Sequence, residues 1–280
     1  MTIDSTLSSF IAIDGRHLAI QDWPLGPGQP ERGSVLLVHG LGEHVGRYDH
    51  VARQLNNWGF AVRGYDQFGH GESEGPRGGL PTPTRLLADL AEMVDSTRAR
   101  QAPGTPLILL GHSMGGLVAA RFVSLGLRPV QALVLSSPAL DLGLSTFQKL
   151  LLAVLPGLAP NLSLGNGLDA ELLSHDPKAV ADYRADPLVH DRICPRLAQF
   201  MADAGAATVA SAAQWQVPTL LMYAGADRLV NPAGSRTFAA AASGSVVSAH
   251  CFEGLFHELF NELDREAVFT QLKRWLEQRF

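Results

Sequence analysis

The stretch from Leu107 to Ala120 constrains this chain more than any other. It reads Leu-Ile-Leu-Leu-Gly-His-Ser-Met-Gly-Gly-Leu-Val-Ala-Ala. A short apolar run ends in a glycine, one serine follows, then two more glycines, then apolar residues at helical spacing. A G-x-S-x-G string between a strand and a helix is a very tight turn that pushes the Ser113 hydroxyl out beyond the sheet edge. The serine must adopt a strained backbone there. Gly111 and Gly115 leave room because neither carries a Cβ, and Gly116 lets the next helix pack close. The helix start also aims N–H groups and the positive end of its dipole at the same point. The string alone arises by chance in glycine-rich chains, so its weight comes from the strand before it and the helix after it.

The rest of the chain supplies a sheet for this turn to sit on. Residues 10–13 and 17–20, around Asp14-Gly15, read as a hairpin. Strands are predicted at 34–40, 60–66, 130–137, 217–225 and 246–252, and helices at 47–58, 84–101, 233–242 and 263–279. Strands alternating with helices imply an α/β fold, a mostly parallel sheet with both faces covered. Between 141 and 194 the rhythm breaks. Leucines are frequent there, strand-like alternation is absent, and Pro156, Pro160, Pro177 and Pro187 interrupt the pattern. Residues 1–140 and 195–280 are therefore expected to form one core domain, with 141–194 inserted as a cap.

Bulk properties exclude several functions. The 280 residues suffice for a sizeable core. A net charge of −5 argues against nucleic acid as a partner. Charged residues make up 18% of the chain, below the usual ~25%, so extra apolar surface is expected somewhere. Two cysteines, Cys194 and Cys251, make no disulfide framework and suggest a reducing compartment. Met1–Thr6 has no basic start and no apolar run, so no signal peptide is expected. The apolar run Leu150–Leu155 is too short to span a bilayer. A cytoplasmic location follows as the expectation.

A serine hydroxyl needs a base, and the base needs an orienting carboxylate. On this architecture the chain order is Ser, then Asp or Glu, then His. Asp227 follows the strand at 217–225, on the ligand-facing side of an open sheet. Asp203 and Asp264 fall on predicted helices. Of the histidines after Ser113, His175 and His190 lie in the insertion and His250 lies inside the last strand; only His257 follows a strand end. An oxyanion hole needs two backbone N–H donors. Met114, after the serine, is one; Leu41, in the loop His39-Gly40-Leu41-Gly42, is the other. Other motifs fail on detail. His257-Glu258 misses H-E-x-x-H, Val45 stands where a dinucleotide fingerprint needs glycine, and no G-x-x-x-x-G-K-[ST] string occurs. No metal or cofactor is expected.

Five segments together resemble a known family: His39-Gly40-Leu41-Gly42-Glu43-His44 with Arg47-Tyr48; Asp66 through Gly75; Gly111 through Gly116; Asp186-Pro187-Leu188; and Asp227 with His257-Glu258. They are similar to the monoacylglycerol lipase and lysophospholipase branch of the α/β-hydrolases, over most of residues 10–280. The resemblance implies an α/β-hydrolase fold and a cap. It also implies a serine ester hydrolase acting on substrates with one acyl chain, typically a monoacylglycerol. It implies the triad Ser113, Asp227 and His257, and an oxyanion hole from Leu41 and Met114. It places His112 beside the nucleophile, and Glu43, Arg47 and Tyr183 near the polar end of a substrate pocket. Asp66, Gly69 and Gly71 would build a turn under the site. Relatives of this fold that open epoxides or remove halides carry Asp at the elbow; Ser113 favours acyl transfer instead.

Three alternatives stay open at this point. A lysophospholipase would want basic residues at the cap mouth, where the insertion offers only Lys178, Arg184 and Arg192. A general carboxylesterase would use the same triad. A non-catalytic ligand-binding module would commonly have lost a triad member. The apolar insertion, with Phe147, Leu150–Leu152, Val154 and Leu155, either packs as core under the cap or lines an acyl tunnel and touches a membrane surface transiently.

Overall fold

The fold is seen in a computed structural model that describes residues 4–280; the first three positions of the Met1–Thr6 leader reading lie outside them. In chain order the elements are β1 (Thr6–Ile11), β2 (His17–Trp23), β3 (Gly33–Val38), α1 (Asp49–Asn57), β4 (Phe60–Tyr65), α2 (Arg85–Arg98), β5 (Leu107–His112), α3 (Ser113–Ser124) and β6 (Ala132–Ser136). Then come α4 (Thr146–Leu158), β7 (Leu164–Gly165), α5 (Pro177–Ala185), β8 (Arg192–Ile193), α6 (Pro195–Ala210), β9 (Thr219–Ala224), α7 (Pro232–Ala241), β10 (Val247–Phe252) and α8 (Arg265–Glu277).

The main sheet has eight strands in the order β1-β2-β4-β3-β5-β6-β9-β10. Only the pairings β1–β2 and β2–β4 are antiparallel; all others are parallel. The fully apolar strands are buried on both faces. Leu36 and Val38 of β3 point into the core covered by α2, α3, α6 and α7, through Leu90, Leu117, Leu197 and Phe238. Val35 and Leu37 point into the core covered by α1 and α8, through Val51, Leu55, Val268 and Leu272. This alternation explains why parallel strands read as continuous hydrophobic runs. From β3 the chain steps to β4 on one side and then to β5 on the other. The carboxyl ends of β3 and β5 therefore flank a crevice where the strand order reverses, the usual place for a ligand in an open α/β sheet.

The elements follow the predicted rhythm, with differences that have local causes. Strand β1 begins at Thr6, because an edge strand needs no apolar pattern; its residues are almost all exposed. The insertion does contain strand: β7 and β8 form a two-residue antiparallel ladder, too short for any alternation to register. Asp264 stands at the position just before α8 rather than within it. Pro156 does not end its helix. It sits in the last turn of α4, where only one hydrogen bond is forfeited, and a Ser145–Gln148 capping box secures the other end. Pro177, Pro195 and Pro232 open their helices at the first position, behind the capping side chains of Asp176, Cys194 and Asn231. A proline there lacks only an N–H that would have had no partner.

The largest group of exposed apolar side chains on one element lies on α4. This helix buries no residue completely, and Phe147, Leu150 and Leu158 are 67%, 63% and 78% exposed. Among the described residues, no helix is long and apolar enough to cross a membrane.

Candidate active site

Ser113 occupies the junction of β5 and α3, with a left-handed backbone at φ 52°. Few non-glycine residues adopt that conformation, and it costs about 1–3 kcal/mol. Glycines on either side make the turn sterically feasible. A Cβ on Gly111 would lie 2.5 Å from the Gly115 carbonyl oxygen, and a Cβ on Gly115 would lie 2.1 Å from that of Val38. Gly116 faces Pro138, behind β6, at 3.0 Å. Strand β3, the turn and α3 are therefore in backbone contact, with no room for a side chain between them.

Asp227 and His257 approach from the ends of β9 and β10. The His257 Nδ1 lies 2.7 Å from Asp227 Oδ2, while Asp227 Oδ1 accepts from the N–H groups of Leu229 at 2.9 Å and Val230 at 3.0 Å. Burial works against the charge on Asp227, but His257 and those two amides hold its carboxyl below the usual range. Burial also works against a charged His257. Asp227, then Glu258 and Glu43, outweigh it and raise the imidazole above its ordinary value. Both His257 and Ser113 line one cavity of about 440 Å³. Among the described residues the Ser113 hydroxyl makes no hydrogen bond, so the serine–histidine bond is not closed here. Such bonds are often long without substrate and tighten on binding.

The loop after β3 approaches Ser113 closely: a Cβ on Gly40 would lie 3.3 Å from that of Ser113. Its backbone is fixed by two buried side chains. Glu43 Oε1 accepts the Gly40 N–H at 2.5 Å and the Tyr48 hydroxyl at 2.6 Å. His39 donates from Nδ1 to the Gly40 carbonyl at 2.8 Å and accepts the Gln67 N–H at Nε2, 2.9 Å away. Burial keeps this histidine's pKa low, and the Gln67 contact requires an unprotonated Nε2. Among the described residues, the N–H groups of Leu41 and Met114 have no acceptor within the protein. The loop under the site is held by Asp66, which accepts from Val45 and Glu72 at 2.8 Å each and fills the space a Cβ on Gly71 would need.

One guanidinium holds the polar end together. Arg47 grips Glu258 with two hydrogen bonds, at 2.7 and 2.8 Å, also binds Glu43, and lies 4.8 Å under the Tyr183 ring. Burial opposes ionisation of Glu43, but Arg47 and the nearby histidines hold its carboxyl down at about 2. Glu43, Tyr183, Glu258 and His112 all reach the cavity wall; Arg47 does not line it and sits behind them. His112 hydrogen-bonds Ser136 at 3.2 Å, its ring 4.8 Å from that of His257. Burial, then His257, drives it down to about 4, so it stays neutral around neutral pH.

Two participants escaped the sequence reading as site residues, Glu258 and Tyr48. The available signal was adjacency: each directly follows a residue that was singled out. The other histidines lie elsewhere. His175 pairs with Glu262 at 2.8 Å, His190 lies against His70, and His250 is exposed on β10. Asp186, in one of the segments that carry the family resemblance, binds His44 at 2.8 Å. Among the described residues no group of three or more His, Cys, Asp or Glu side chains is arranged to hold a metal ion.

The Arg47 cluster makes a stability prediction. Arg47→Met leaves Glu43 and Glu258 buried without a cation, and destabilisation of about 3–5 kcal/mol is expected in urea unfolding at neutral pH. The pH dependence should also invert. In the native protein Glu43 is depressed from 4.5 to about 2, so its contribution is fully present above pH 4.5 and lost as pH falls toward 2. In the variant the two carboxyls become harder to ionise, and acidification from neutral pH should recover stability.

Comparison with known proteins matches the same frame. Residues 29–264 match the family described as serine aminopeptidase, S33. The chain is 35% identical to a monoacylglycerol lipase of Mycolicibacterium smegmatis, over 98% of both chains. It is 31% identical to human monoglyceride lipase, over 98% of this chain and 91% of that one. The crystal structure of Paleococcus ferrophilus monoacylglycerol lipase superposes with a TM-score of 0.81 at 34% identity, covering 99% of this chain and all of that one. The chain belongs to this S33 family of α/β-hydrolases, in the branch that contains the monoacylglycerol lipases.

Proposed function

We propose that this protein is a serine hydrolase that cleaves the ester of a monoacylglycerol, releasing a fatty acid and glycerol. The observation that carries the reading is a single cavity with a strained, unengaged serine, a histidine paired to a buried carboxylate, and walls of two kinds. Leu151, Leu152, Leu155, Leu168 and Leu173 offer an apolar lining for an acyl chain. Glu43, His112, Tyr183 and Glu258 offer hydrogen-bonding groups for glycerol hydroxyls.

In this mechanism Ser113 Oγ attacks the ester carbonyl carbon and His257 Nε2 takes its proton. Asp227 fixes the tautomer with the proton on Nδ1 and stabilises the imidazolium. The Leu41 and Met114 N–H groups hold the developing oxyanion. His257 then protonates the departing glycerol oxygen. In the second half, His257 activates a water that attacks the acyl-enzyme, the Ser113–acyl bond breaks, and the proton returns to Ser113. Three carboxylates against one guanidinium around His257 favour the imidazolium on which both halves depend.

Residues 141–194 act as a cap in this reading. They supply most of the leucine wall, and the exposed apolar face of α4 supports transient contact with the membrane surface that holds the substrate. A lysophospholipid is the second reading, for one reason: Arg228 lines the cavity, is exposed, and has no ion-pair partner among the described residues. Against it, Lys178, Arg184 and Arg192 are each paired to a carboxylate, Asp182, Glu171 and Asp191. Glycerol therefore fits the polar end better than a phosphate.

Three outcomes are expected. A fluorophosphonate probe should label the protein, Ser113→Ala should abolish labelling, and kcat on monoacylglycerol should fall about 10⁶-fold; labelling that survives would exclude Ser113 as nucleophile. Because His257 must be neutral to act as base and its pKa is raised, kcat/KM should climb with pH and reach half its plateau above pH 6.5. In vesicle flotation with liposomes, the native protein should co-float in part, and Phe147→Ser with Leu150→Glu should remain at the bottom while still hydrolysing monomeric esters.

A further inference from the structure

A second hollow of about 490 Å³ lies beside the catalytic cavity, between α4, α6 and α7. It has no part in the mechanism above. Four residues line both spaces: Leu142, Leu144, Leu152 and Met201. The division between them is thus shared by four apolar side chains, none held by a hydrogen bond. Leu152 sits on α4, which has no fully buried residue to pin it. Met201, on α6, is an unbranched thioether with three rotatable bonds, a side chain that adapts to what it packs against. Beyond this partition the floor is made of small residues, Ala153, Ala202, Ala206, Ala233 and Gly234, while Asp141, Lys149, Gln199 and Thr237 also line the hollow.

We infer that the second hollow is a distal acyl subsite. It takes the methyl end of a long acyl chain that displaces Leu152 and Met201, and these two side chains set the chain length at which turnover begins to depend on it. This rests on the ester hydrolase reading and adds to it a determinant of substrate length. The catalytic cavity must hold the glycerol and the reacting carbonyl as well as part of the chain. Beyond its end, a chain can either emerge into water or enter the adjoining space, whose floor between α6 and α7 is built of alanine and glycine. Each methylene withdrawn from water strengthens binding roughly fourfold, so the second course is favoured once the partition yields. The occupant is a hydrocarbon tail because the partition that separates the hollow from the leucine wall is itself made of four apolar side chains, Leu142, Leu144, Leu152 and Met201.

The test fills the hollow from its far side. Ala153 and Ala202 line it without lining the catalytic cavity. For the native protein, Ala153→Phe and Ala202→Phe, kcat/KM is measured on hexanoyl, lauroyl, stearoyl and arachidoyl glycerol below their aggregation limits or in mixed micelles. The expected result is unchanged hexanoyl turnover and a loss of about tenfold or more on stearoyl and arachidoyl esters, carried mainly by KM. Met201→Ala, which opens the partition, should move the profile the opposite way. Equal effects at every chain length, or none at any, overturn the subsite while leaving the hydrolase reading intact. Absence of turnover of every ester by the native protein overturns both.

Discussion

The carbonyl oxygens of Val38 and His39 stand 2.1 and 2.3 Å from where a Cβ on residue 115 would be. That contact of bare backbone against bare backbone is the constraint from which the site follows. It seats the first turn of α3 on the carboxyl ends of β3 and β5. It leaves Ser113 only a left-handed conformation, and so points its hydroxyl into the crevice. It also brings the loop after β3 beside the helix start, where a Cβ on Gly40 would lie 3.3 Å from that of Ser113. The strain at Ser113 is tolerable because the segments on both sides are deeply buried; Leu107 to Leu110 and Leu117 to Ala120 are almost wholly inaccessible. A rigid core imposes a local geometry the serine would not choose.

Arg47 organises the electrostatics in a comparable way. It belongs to the segment following β3, grips Glu43 in that same segment, grips Glu258 next to His257, and lies under Tyr183 of α5. The loop after β3, the loop that carries His257 and helix α5 thus meet on one guanidinium. Planar Arg suits this role because its fork reaches two carboxylates and its face can carry an aromatic ring. Glu43 in turn receives the Gly40 N–H, so the charge that Arg47 neutralises is the charge that fixes the loop beside Ser113. Lost charge there would be felt in both folding and loop geometry.

The sequence made some of this legible and hid the rest for physical reasons. Long, fully buried strands such as β3 and β5 announce themselves as apolar runs, and the elbow is written in glycines that nothing else can replace. Asp227 and His257 could be found because chain order and strand ends leave few candidates. The Arg47 cluster was visible only as a motif. Glu258 and Tyr48 act through contacts between segments far apart in the chain, and spacing along one element carries no trace of those. Prolines misled where they were read only as breakers: Pro177 starts a helix and Pro156 sits in a last turn. The ladder of β7 with β8 was illegible because two-residue strands have no period.

The segment 141–194 is held unevenly, and this shapes how the cavity can respond to different ligands. Its later half is tied to the sheet body at many points. Leu173 accepts from Glu258 N–H at 2.8 Å, Ser174 and His175 bind Glu262, Asp186 binds His44, the His190 N–H donates to Gly42, and the Cys194 N–H donates to Gly78. Among the described residues helix α4 has nothing comparable; it rests on α6 through half-buried leucines and turns its other face to solvent. Local opening costs least where buried contacts are fewest. The polar end of the cavity, formed by Glu43, Tyr183 and Glu258, therefore belongs to the firmly tied part, whereas the leucine wall on α4 belongs to the loosely tied part. In the proposed reaction, the groups that hold the ester within a fraction of an ångström sit on fixed structure. Those that accommodate a featureless hydrocarbon, which asks only to be kept from water, sit on structure that can yield.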